Sequence, residues 1–326
     1  MSQNSKRGEG GSIHERIGLI YVWILLIAIF LIVKPAVFGS FNIYASILGG
    51  QSAVVMLTLA LIVPLTAGEF DLSAAAMLAF SAMIIAVLNV DLDVPVGLAV
   101  LAALAVSIVV GVLNALLVIR LGIGSLITTL GMATLLQGVV RWISGSRTIY
   151  GISDSLVSAV LTGRIFGIAP SFYYTLILCM ALWYVFTRTP FGMKLLFVGR
   201  GPEVARLNGV AVDRVRMGAL ISSSFIAALG GVIYAGTSGA ADPVSGFSLL
   251  LPAFAGAFLG STAITPGRFN PWGSLFGMYF LATGITGLVT IGAPSFVQDL
   301  FYGGALIVAI ATVQVLRRWR EKRARA

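Results

Sequence analysis

Charged side chains are scarce in this sequence. Asp, Glu, Lys and Arg together make up 10% of its 326 residues, whereas 58% of the residues are hydrophobic. Mean hydropathy is accordingly high, at +1.01. Because soluble domains carry roughly 25% charged residues, this composition argues against an ordinary soluble fold. The sequence predicts a polytopic membrane protein, most of whose residues lie in the hydrocarbon core of a bilayer.

Cysteine and histidine are almost missing, since the chain has one of each, Cys179 and His14. A single cysteine cannot form an internal disulfide, and one residue of each type argues against a metal site built from cysteine and histidine. Because Cys179 lies within an apolar run, we expect it to act as a small buried hydrophobic residue.

Motifs of enzymes and nucleotide-binding proteins are also absent from the sequence. It contains no G-x-x-x-x-G-K-[ST] phosphate loop, so it does not bind ATP in that mode. It contains neither a G-x-S-x-G nor an H-E-x-x-H motif, and no nucleophile–base pair is evident. The sequence therefore predicts a protein that is not an enzyme, holds no metal and needs no cofactor.

Ten apolar runs, each near the roughly 20 residues that a helix needs to cross a bilayer, follow a polar segment at residues 1–16. They occupy residues 17–33, 43–68, 72–88, 94–119, 123–143, 171–187, 216–237, 247–264, 272–291 and 296–316. No small-residue cleavage site follows the first run, so we interpret it as a retained span. This pattern predicts an all-α membrane domain over residues 17–316, between a disordered tail and a basic tail at residues 317–326.

The distribution of basic residues predicts the orientation of the chain. Ten spans place both termini on one side, and a cytoplasmic N-terminus leaves four of the 21 Lys and Arg residues outside. Those four are Lys34, Arg141, Arg147 and Arg164, and the remaining 17 of the 21 are inside. Since cytoplasmic loops carry an excess of Lys and Arg, this bias favours ten spans with both termini in the cytoplasm.

Two breaks interrupt otherwise apolar sequence, and each ends one span and opens the next almost without a loop. The first break, residues 68–73, reads G-E-F-D-L-S, and the second, residues 241–248, reads A-D-P-V-S-G-F-S. In the ten-span topology the first break lies toward the inside and the second toward the outside. This placement is typical of two halves related by an inverted repeat.

Carboxylates in the two breaks are candidates for function. Charged groups near membrane depth are costly and often functional, which singles out Glu69, Asp71 and Asp242. Asp71 and Ser73 could equally well cap the helix that begins after them, at the cytoplasmic surface. The sequence alone leaves both roles open.

Polar side chains within the spans could line a solute path. They are Gln51, Asn114, Thr128, Thr129, Gln137 and Gln298. For each one, a hydrogen bond between helices is the competing explanation, because polar side chains commonly bond across membrane helices. Small residues four apart, at 256 and 260 and at 273 and 277, predict close helix packing or a dimer contact.

The stretch over residues 187–216 is the one long polar interval between the two apolar halves. Within it, Pro202 is followed by E-V-A-R-L-N and then by Gly209. Proline suits a first helical turn, Glu203 near the start faces the helix dipole favourably, and glycine commonly ends a helix. We therefore predict one short helix here, which would suit the docking of a partner protein. A plain positively charged cytoplasmic loop is the alternative explanation.

The same stretch resembles a known family. Glu203, Val204 and Ala205 followed by Gly209 resemble the E-A-A-x-x-x-G coupling loop of ATP-binding-cassette (ABC) importer permeases, with Val204 in place of the second residue. Its neighbours, P-F-G-M-K and G-R-G-P-E-V-A-R-L-N-G-V, resemble the monosaccharide (ribose/xylose-type) branch of these binding-protein-dependent inner-membrane permeases.

The first break carries a second part of the resemblance. Its sequence G-E-F-D-L-S-A-A is similar to the family signature G-G-x-D-L-S-x-G, with Glu69 and Ala75 standing where the signature has glycine. The pieces G-V-L-N-A and I-T-T-L-G, at residues 111–115 and 127–131, are also similar to the family. The resemblance extends over residues 42–316, which is nearly the whole membrane region.

The resemblance implies a permease subunit that imports a small sugar or related polar solute across the bacterial inner membrane. Two such subunits, identical or different, form the pathway within the lipid, and a solute-binding protein delivers the solute. A separate ATPase docks on the cytoplasmic coupling loop at residues 188–213. The coupling residues are then Glu203, Val204, Ala205, Leu207 and Gly209. The candidate path residues are Gln51, Glu69, Asp71, Ser73, Asn114, Thr128, Thr129 and Asp242.

One alternative from a different class remains at this point. A stand-alone carrier driven by H⁺ or Na⁺ would use Glu69, Asp71 and Asp242 as ion sites. Such a carrier does not need a coupling loop, and the spans contain almost no paired charges. Nucleic acid is not an expected partner, because the basic residues cluster in particular loops as the orientation rule predicts.

Overall fold

The fold is taken from a computed structural model that describes the backbone of residues 13–325 and the side chains of residues 18–312, 314 and 315. Most of the predicted disordered tail, residues 1–12, lies outside the described residues. Residues 13–16 of that tail are helical, because the first helix begins at Ile13. The predicted basic tail is also helical as far as Arg325, as a continuation of the last span.

The described chain is almost entirely helical. Its α-helices are α1 (Ile13–Val33), α2 (Pro35–Phe38), α3 (Phe41–Gly50), α4 (Ser52–Thr66), α5 (Ser73–Ala86), α6 (Val96–Ile119), α7 (Ser125–Ser144), α8 (Asp154–Val157), α9 (Pro170–Arg188), α10 (Pro190–Arg200), α11 (Pro202–Leu207), α12 (Val212–Ser238), α13 (Ser245–Gly260), α14 (Pro271–Thr290) and α15 (Phe296–Arg325). Single π-helical turns follow α5 (Val87–Asp91) and α8 (Ser158–Thr162), and strands β1 (Ile149–Tyr150) and β2 (Ala240–Ala241) form one antiparallel pair.

Apolar helices long enough to cross a membrane confirm an all-α polytopic membrane protein. Within residues 13–325, six helices pass this test of length and composition, and the bent pair α3–α4 makes up to seven. Three shorter apolar helices, Gly18–Val33, Ser245–Gly260 and Phe296–Thr312, coincide with the first, eighth and tenth predicted runs. Every predicted run thus coincides with helix.

The second predicted run is not one straight helix. It is divided at Gln51 into α3 and α4, whose axes differ in direction by 46°. The carbonyl of Leu48 accepts hydrogen bonds from the hydroxyls of Ser52 and Tyr279, and the carbonyl of Gly49 accepts one from Ser171. Side chains that enter the backbone ladder in this way are a known cause of helix bends, and neighbouring glycines ease them.

The polar interval over residues 187–216 contains more helix than the sequence predicts. The prediction placed one short helix there, whereas the structure adds α10 before it. Thr189 caps α10 by accepting a hydrogen bond from the backbone N–H of Gly192, at 3.4 Å. Leu195 and Val198 of α10 are buried, so the interval packs against the membrane domain rather than forming an open loop.

Five helices, α4, α5, α12, α13 and α14, supply most of the core. Every residue of α4 is buried. Helix α12 packs on α4, α5 and α6, whereas α13 packs on α4, α14 and α15. Arg216 at the start of α12 meets Glu69 just after α4, and Gly230 lies against Ala53 near the beginning of α4. Helices α4 and α12 are therefore antiparallel.

Small residues permit the closest helix contacts, as predicted for residues 256–260 and 273–277. Gly260 of α13 lies directly against Ser274 of α14, and an added Cβ would overlap its backbone. Gly277 of α14 similarly approaches the carbonyl of Gly256. The small residues thus serve helix packing within one chain. Cys179 is fully buried, also as predicted.

Candidate functional site

The short helix predicted before Gly209 is present as α11. Pro202 occupies its first turn and Glu203 lies at its N-terminal end, where the helix dipole favours a negative charge. The N–H of Gly209 donates to the carbonyl of Arg206, and the N–H of Val210 donates to the carbonyl of Ala205, both at 3.0 Å. This pair of bonds is a Schellman C-cap, and Gly209 has the positive φ, +76°, that the motif requires.

Helix α11 presents an apolar side to solvent. Leu207 is 88% exposed and Val204 is 54% exposed, whereas Ala205 is completely buried. Of the predicted coupling residues, Ala205 therefore faces the membrane domain, and Glu203, Val204, Leu207 and Gly209 face outward. Residues three apart on a helix lie on one side, so Val204 and Leu207 form a single apolar patch.

The first break begins with the same kind of cap. The N–H of Gly68 donates to the carbonyl of Leu65, and the N–H of Glu69 donates to the carbonyl of Pro64. Gly68 takes a φ of +84°, which a residue with a Cβ rarely adopts. The break is therefore a defined turn that ends α4 and directs the next residues into the protein interior.

Asp71 lies at the centre of a buried polar cluster. Its side chain is fully buried, and its Oδ1 accepts hydrogen bonds from the backbone N–H of Ser73 at 3.0 Å and from the Ser73 hydroxyl at 2.6 Å. The Ser73 hydroxyl in turn accepts a bond from Nδ2 of Asn114 at 2.8 Å. Asp71 thus turns the chain into α5, as predicted, and the same bonds tie α5 to α6.

Helix α7 holds the backbone of the break from the other side. The N–H of Leu72 donates to the hydroxyl of Thr129 at 3.0 Å, and the N–H of Phe70 donates to the hydroxyl of Ser125 at 3.2 Å. Phe70 also packs near Phe254 of α13, with ring centroids 6.4 Å apart. The break consequently contacts α7 and α13 in addition to the two helices that it joins.

Several buried polar atoms around the first break have no hydrogen-bond partner among the described residues. They are Oδ2 of Asp71, Oδ1 of Asn114 and the hydroxyl oxygens of Thr128, Ser223 and Ser224. The Ser223 hydroxyl lies close enough to the Asp71 carboxylate to interact with it, so these two groups satisfy each other at best weakly. An unpaired buried polar group costs about 1–3 kcal/mol, so such groups in a native protein call for an explanation. Their concentration here makes this cluster the best candidate for contact with a polar solute.

Glu69 forms a second polar contact at the same break. Its carboxylate Oε1 accepts a hydrogen bond from Nε of Arg216, on the first turns of α12. The Glu69 side chain is 8% exposed and that of Arg216 is 28% exposed. Removing one partner of a buried ion pair leaves an uncompensated charge, so this pair strongly constrains where the break can lie relative to α12.

Two predicted path residues lie elsewhere. Asp242 is half-buried in the second break, where its Oδ1 accepts from the backbone N–H groups of Val244 and Ser245 and its Oδ2 accepts from the hydroxyl of Tyr234. Since Tyr234 follows Arg216 by 18 residues on α12, this site is ~27 Å along the helix from Glu69. Gln51 lies at the α3–α4 bend, at the opposite end of α4 from Asp71.

Sequence analysis missed three residues of this region, Arg216, Ser223 and Ser224. Arg216 was counted as a cytoplasmic charge, although it opens the seventh predicted run, and a charge within a span predicts a buried partner. The two serines give no comparable signal, because single hydroxyls are common in membrane helices. Only the packing of α12 brings Ser223 beside the Asp71 carboxylate and Ser224 against Gly111 of α6.

Comparison with known proteins identifies the family. Residues 43–310 match the family described as "Branched-chain amino acid transport system / permease component". The chain belongs to this permease family. No solved structure matches it significantly.

Several curated members of the family are similar over most of the chain. A D-allose transport system permease protein of Escherichia coli (strain K12) is 26% identical over 304 residues, covering 93% of each chain. A ribose import permease protein of Haemophilus influenzae is 26% identical over 290 residues, covering 88% of this chain and 89% of its own. A fructose import permease protein of Rhizobium meliloti is 30% identical over 265 residues, covering 79% of this chain and 73% of its own.

Family membership agrees with the resemblance drawn from the break and the α11 motif. The match over residues 43–310 includes both breaks, α10 and α11, so these features belong to the part of the chain that the permease family shares. The family is one of transport permeases, not of enzymes. A stand-alone ion-driven carrier is the less suitable interpretation, since the relatives are named as permease components of import systems.

Proposed function

We propose that this protein is the membrane-spanning permease subunit of an ATP-driven importer for a small sugar or related polar solute in the bacterial inner membrane. The observation that carries the proposal is helix α11, which offers an exposed apolar patch between two packed helices in a chain of the permease family. The sugar permeases among its relatives suggest the solute class.

In such a system the permease forms the membrane pathway, and other subunits hydrolyse ATP and deliver the solute. ATP is hydrolysed by a separate subunit, which fits the absence of a phosphate loop from the sequence. That ATPase docks on the coupling loop at residues 188–213, and a solute-binding protein delivers the solute at the opposite face. A second permease subunit completes the pathway, and lipid surrounds the pair.

A reconstitution experiment tests this function. The permease would be placed in proteoliposomes with the ATPase and the binding protein that co-purify with it, and uptake of labelled pentoses and hexoses would be measured. We expect uptake that requires ATP and the binding protein. Uptake driven by an H⁺ or Na⁺ gradient without ATP would show that the protein is a carrier instead.

Ten spans with both termini in the cytoplasm remain the proposed topology. Its support is that the ten apolar runs coincide with helices and that 17 of the 21 Lys and Arg residues then lie inside. The three shorter apolar helices have to be counted as spans to reach ten.

Cysteine labelling tests the topology. In a Cys179→Ser background, Arg206→Cys and Arg320→Cys should react only with reagents that reach the cytoplasm, and Arg164→Cys should react from outside. The physical reason is the positive-inside bias. Whole cells and permeabilised cells labelled with an impermeant maleimide provide the measurement and its control. Finding residues 206 and 320 on opposite faces would disprove the ten-span topology.

An inverted repeat of α4–α7 and α12–α15 is a further part of the proposal. Helices α5 and α13 each follow a break, and each packs on the two helices after it. The antiparallel course of α4 and α12 puts the breaks at opposite ends of this pair. In both breaks an aspartate, Asp71 or Asp242, accepts backbone N–H bonds at the start of the next helix. Discontinuous helices related in this way hold the solute sites of many transporters.

The solute path is proposed to run beside the first break. Its candidate contacts are Asp71, Ser73, Asn114 and Thr129, which the fold brings together, and Thr128 nearby on α7. Gln51 and Asp242 would contact solute at other levels of the path, and Glu69 is engaged by Arg216.

Replacing Asp71 by asparagine tests the path. Asparagine can still cap α5, so protein level should change little, whereas loss of the buried carboxyl group should lower uptake at least tenfold. Asp154→Asn, an exposed carboxylate at the start of α8, is the matched control and should leave uptake unchanged. Uptake would be normalised to the amount of permease in the membrane. Normal uptake by the Asp71 variant would reduce Asp71 to a capping role.

A further inference from the structure

Both flanks of helix α11 contact the same short piece of chain, the end of α4 and the break that follows it. On the upstream side, Gly199 near the end of α10 lies directly against Thr66, so that an added Cβ would overlap the Thr66 carbonyl oxygen. Gly68 of the break also faces Gly199. Three residues after Gly199, the chain enters α11 at Pro202.

On the downstream side, the contact is the ion pair between Glu69 and Arg216. The chain leaves α11 at Gly209 and enters α12 at Val212, so Arg216 lies on the first turns after the coupling helix. Glu69 is buried and fixes the guanidinium of Arg216 against the break. Helix α11 is therefore attached to one segment at both of its ends.

That segment leads directly to the buried polar cluster. Asp71 follows Glu69 by two residues, and it sets the start of α5 through Ser73 and reaches α6 through Asn114. The Schellman cap at Gly68 holds Glu69 in a defined turn, so a displacement of Glu69 cannot be absorbed by loose chain before Asp71. The contacts form a continuous path from α11 to the cluster.

We propose that Thr66, Glu69, Gly199 and Arg216 form a clasp that transmits movement of α11 to the first break and so to the buried polar cluster. The proposal rests on the proposed function, since α11 must be the helix that the ATPase moves. Glu69 is a positioning residue in this scheme, because it acts through Arg216 and the break and touches no solute. Glu69 stands where the family signature has glycine, so the ion pair is a feature of this chain and does not follow from the signature.

The competing explanation is that these four residues only stabilise the fold, as a structural staple. The clasp and the staple differ in a measurable way. A staple would affect the amount of folded protein. A clasp would affect the number of solute molecules moved per ATP hydrolysed, while leaving the ATPase bound. The test therefore needs the complete transporter, reconstituted with its ATPase and binding protein, and three readings: ATPase association, ATP hydrolysis and solute uptake.

The charge variants test the ion pair. Glu69→Gln keeps the size of the side chain, and Arg216→Gln removes the guanidinium, so each breaks the pair. We expect both to retain the ATPase and to lose at least tenfold in uptake per ATP. Because each removes the same contact, the double variant should lose no more than either single one. Arg216→Lys, which keeps the charge, should recover part of the uptake per ATP.

The glycine variants test the other half of the clasp and do not alter any charge. Gly199→Ala inserts a methyl group against the Thr66 carbonyl, whereas Gly201→Ala, two residues along the same connection, has room for it. Gly201 has an extended φ of −176°, which any residue can adopt. We expect uptake per ATP to fall in the first variant and to stay normal in the second. If a charge variant does not accumulate in the membrane, the comparison of these two glycine variants still tests the clasp.

Normal uptake per ATP in the charge variants and in Gly199→Ala would overturn the clasp. The clasp would also be overturned if the variants were lost from the membrane while the remaining protein kept normal uptake per ATP. A purely structural staple predicts that result. Failure of the proposed function gives a different result, because the wild-type transporter would then show no ATP-dependent uptake at all.

Discussion

Replacing Leu207 by aspartate should abolish uptake by detaching the ATPase. Leu207 is 88% exposed on α11 and adjoins Val204, so in the proposed complex it fills an apolar groove of the partner. Burying a leucine side chain stabilises by about 1.5–3 kcal/mol, and burying an unpaired carboxylate opposes binding further. At about 1.4 kcal/mol per factor of ten, the affinity should fall at least a hundredfold. Co-purification of the ATPase with tagged permease, together with uptake, measures the effect.

The control for this variant is Leu207→Met. Methionine keeps an apolar side chain of similar volume, so ATPase binding and uptake should remain near the wild-type level. Because Leu207 makes no contribution to the core, Leu207→Asp should also reach the membrane in normal amount. Full ATPase binding and full uptake in the aspartate variant would show that α11 is not the docking element.

Replacing Gly209 by valine should weaken ATPase binding by about tenfold or more, with a matching loss of uptake. No atom lies within 4 Å of the position that a Cβ would occupy, so the substitution causes no steric overlap with a neighbour. Its cost comes from the backbone, because a left-handed conformation costs a residue with a Cβ roughly 1–2 kcal/mol. The strain is relieved if the end of α11 unwinds, and Leu207 then loses its position.

Gly209→Asn separates backbone strain from the mere presence of a side chain. Asparagine tolerates the left-handed conformation better than other residues with a Cβ, so this variant should keep most of the uptake. Circular dichroism would not resolve so short a helix, and the measurement is again ATPase co-purification. Equal losses in the valine and asparagine variants would contradict the backbone explanation, since valine is strained more than asparagine at this φ.

The helices of this protein could be predicted from hydropathy, because a helix is the simplest structure that satisfies its own backbone in a bilayer. All ten apolar runs coincide with helix for that reason. The end of α11 was predictable too. A proline at its start and a glycine after it act through local backbone preferences, which do not depend on the rest of the chain.

Local signals also located the two breaks. Asp71 before Ser73 and Asp242 before Val244 and Ser245 turn the chain by bonding to backbone N–H groups two or three residues ahead. Such bonds need only the sequence immediately around them. The positions of the breaks therefore follow from the sequence, whereas the surroundings of each carboxylate do not.

Features that depend on distant residues were decided by the tertiary structure. The bend at Gln51 follows from hydroxyl bonds of Ser171 and Tyr279 to α3, and the burial of α10 follows from its contacts with the membrane domain. Neither cause is visible within the segment itself. The sequence accordingly predicted a span over residues 43–68 without its bend, and a short helix in the polar interval without α10 before it.

The grouping of the candidate residues shows the same division. Hydropathy and charge were enough to select Glu69, Asp71 and Asp242 as unusual, because an ionisable group in an apolar setting is recognisable from sequence. Which of them meet depends on the antiparallel packing of α4 and α12. That packing joins Glu69 to Arg216, 147 residues later, and leaves Asp242 at the far end of α12. Side-chain partners so distant in the chain are determined by helix packing, for which the local sequence carries no signal.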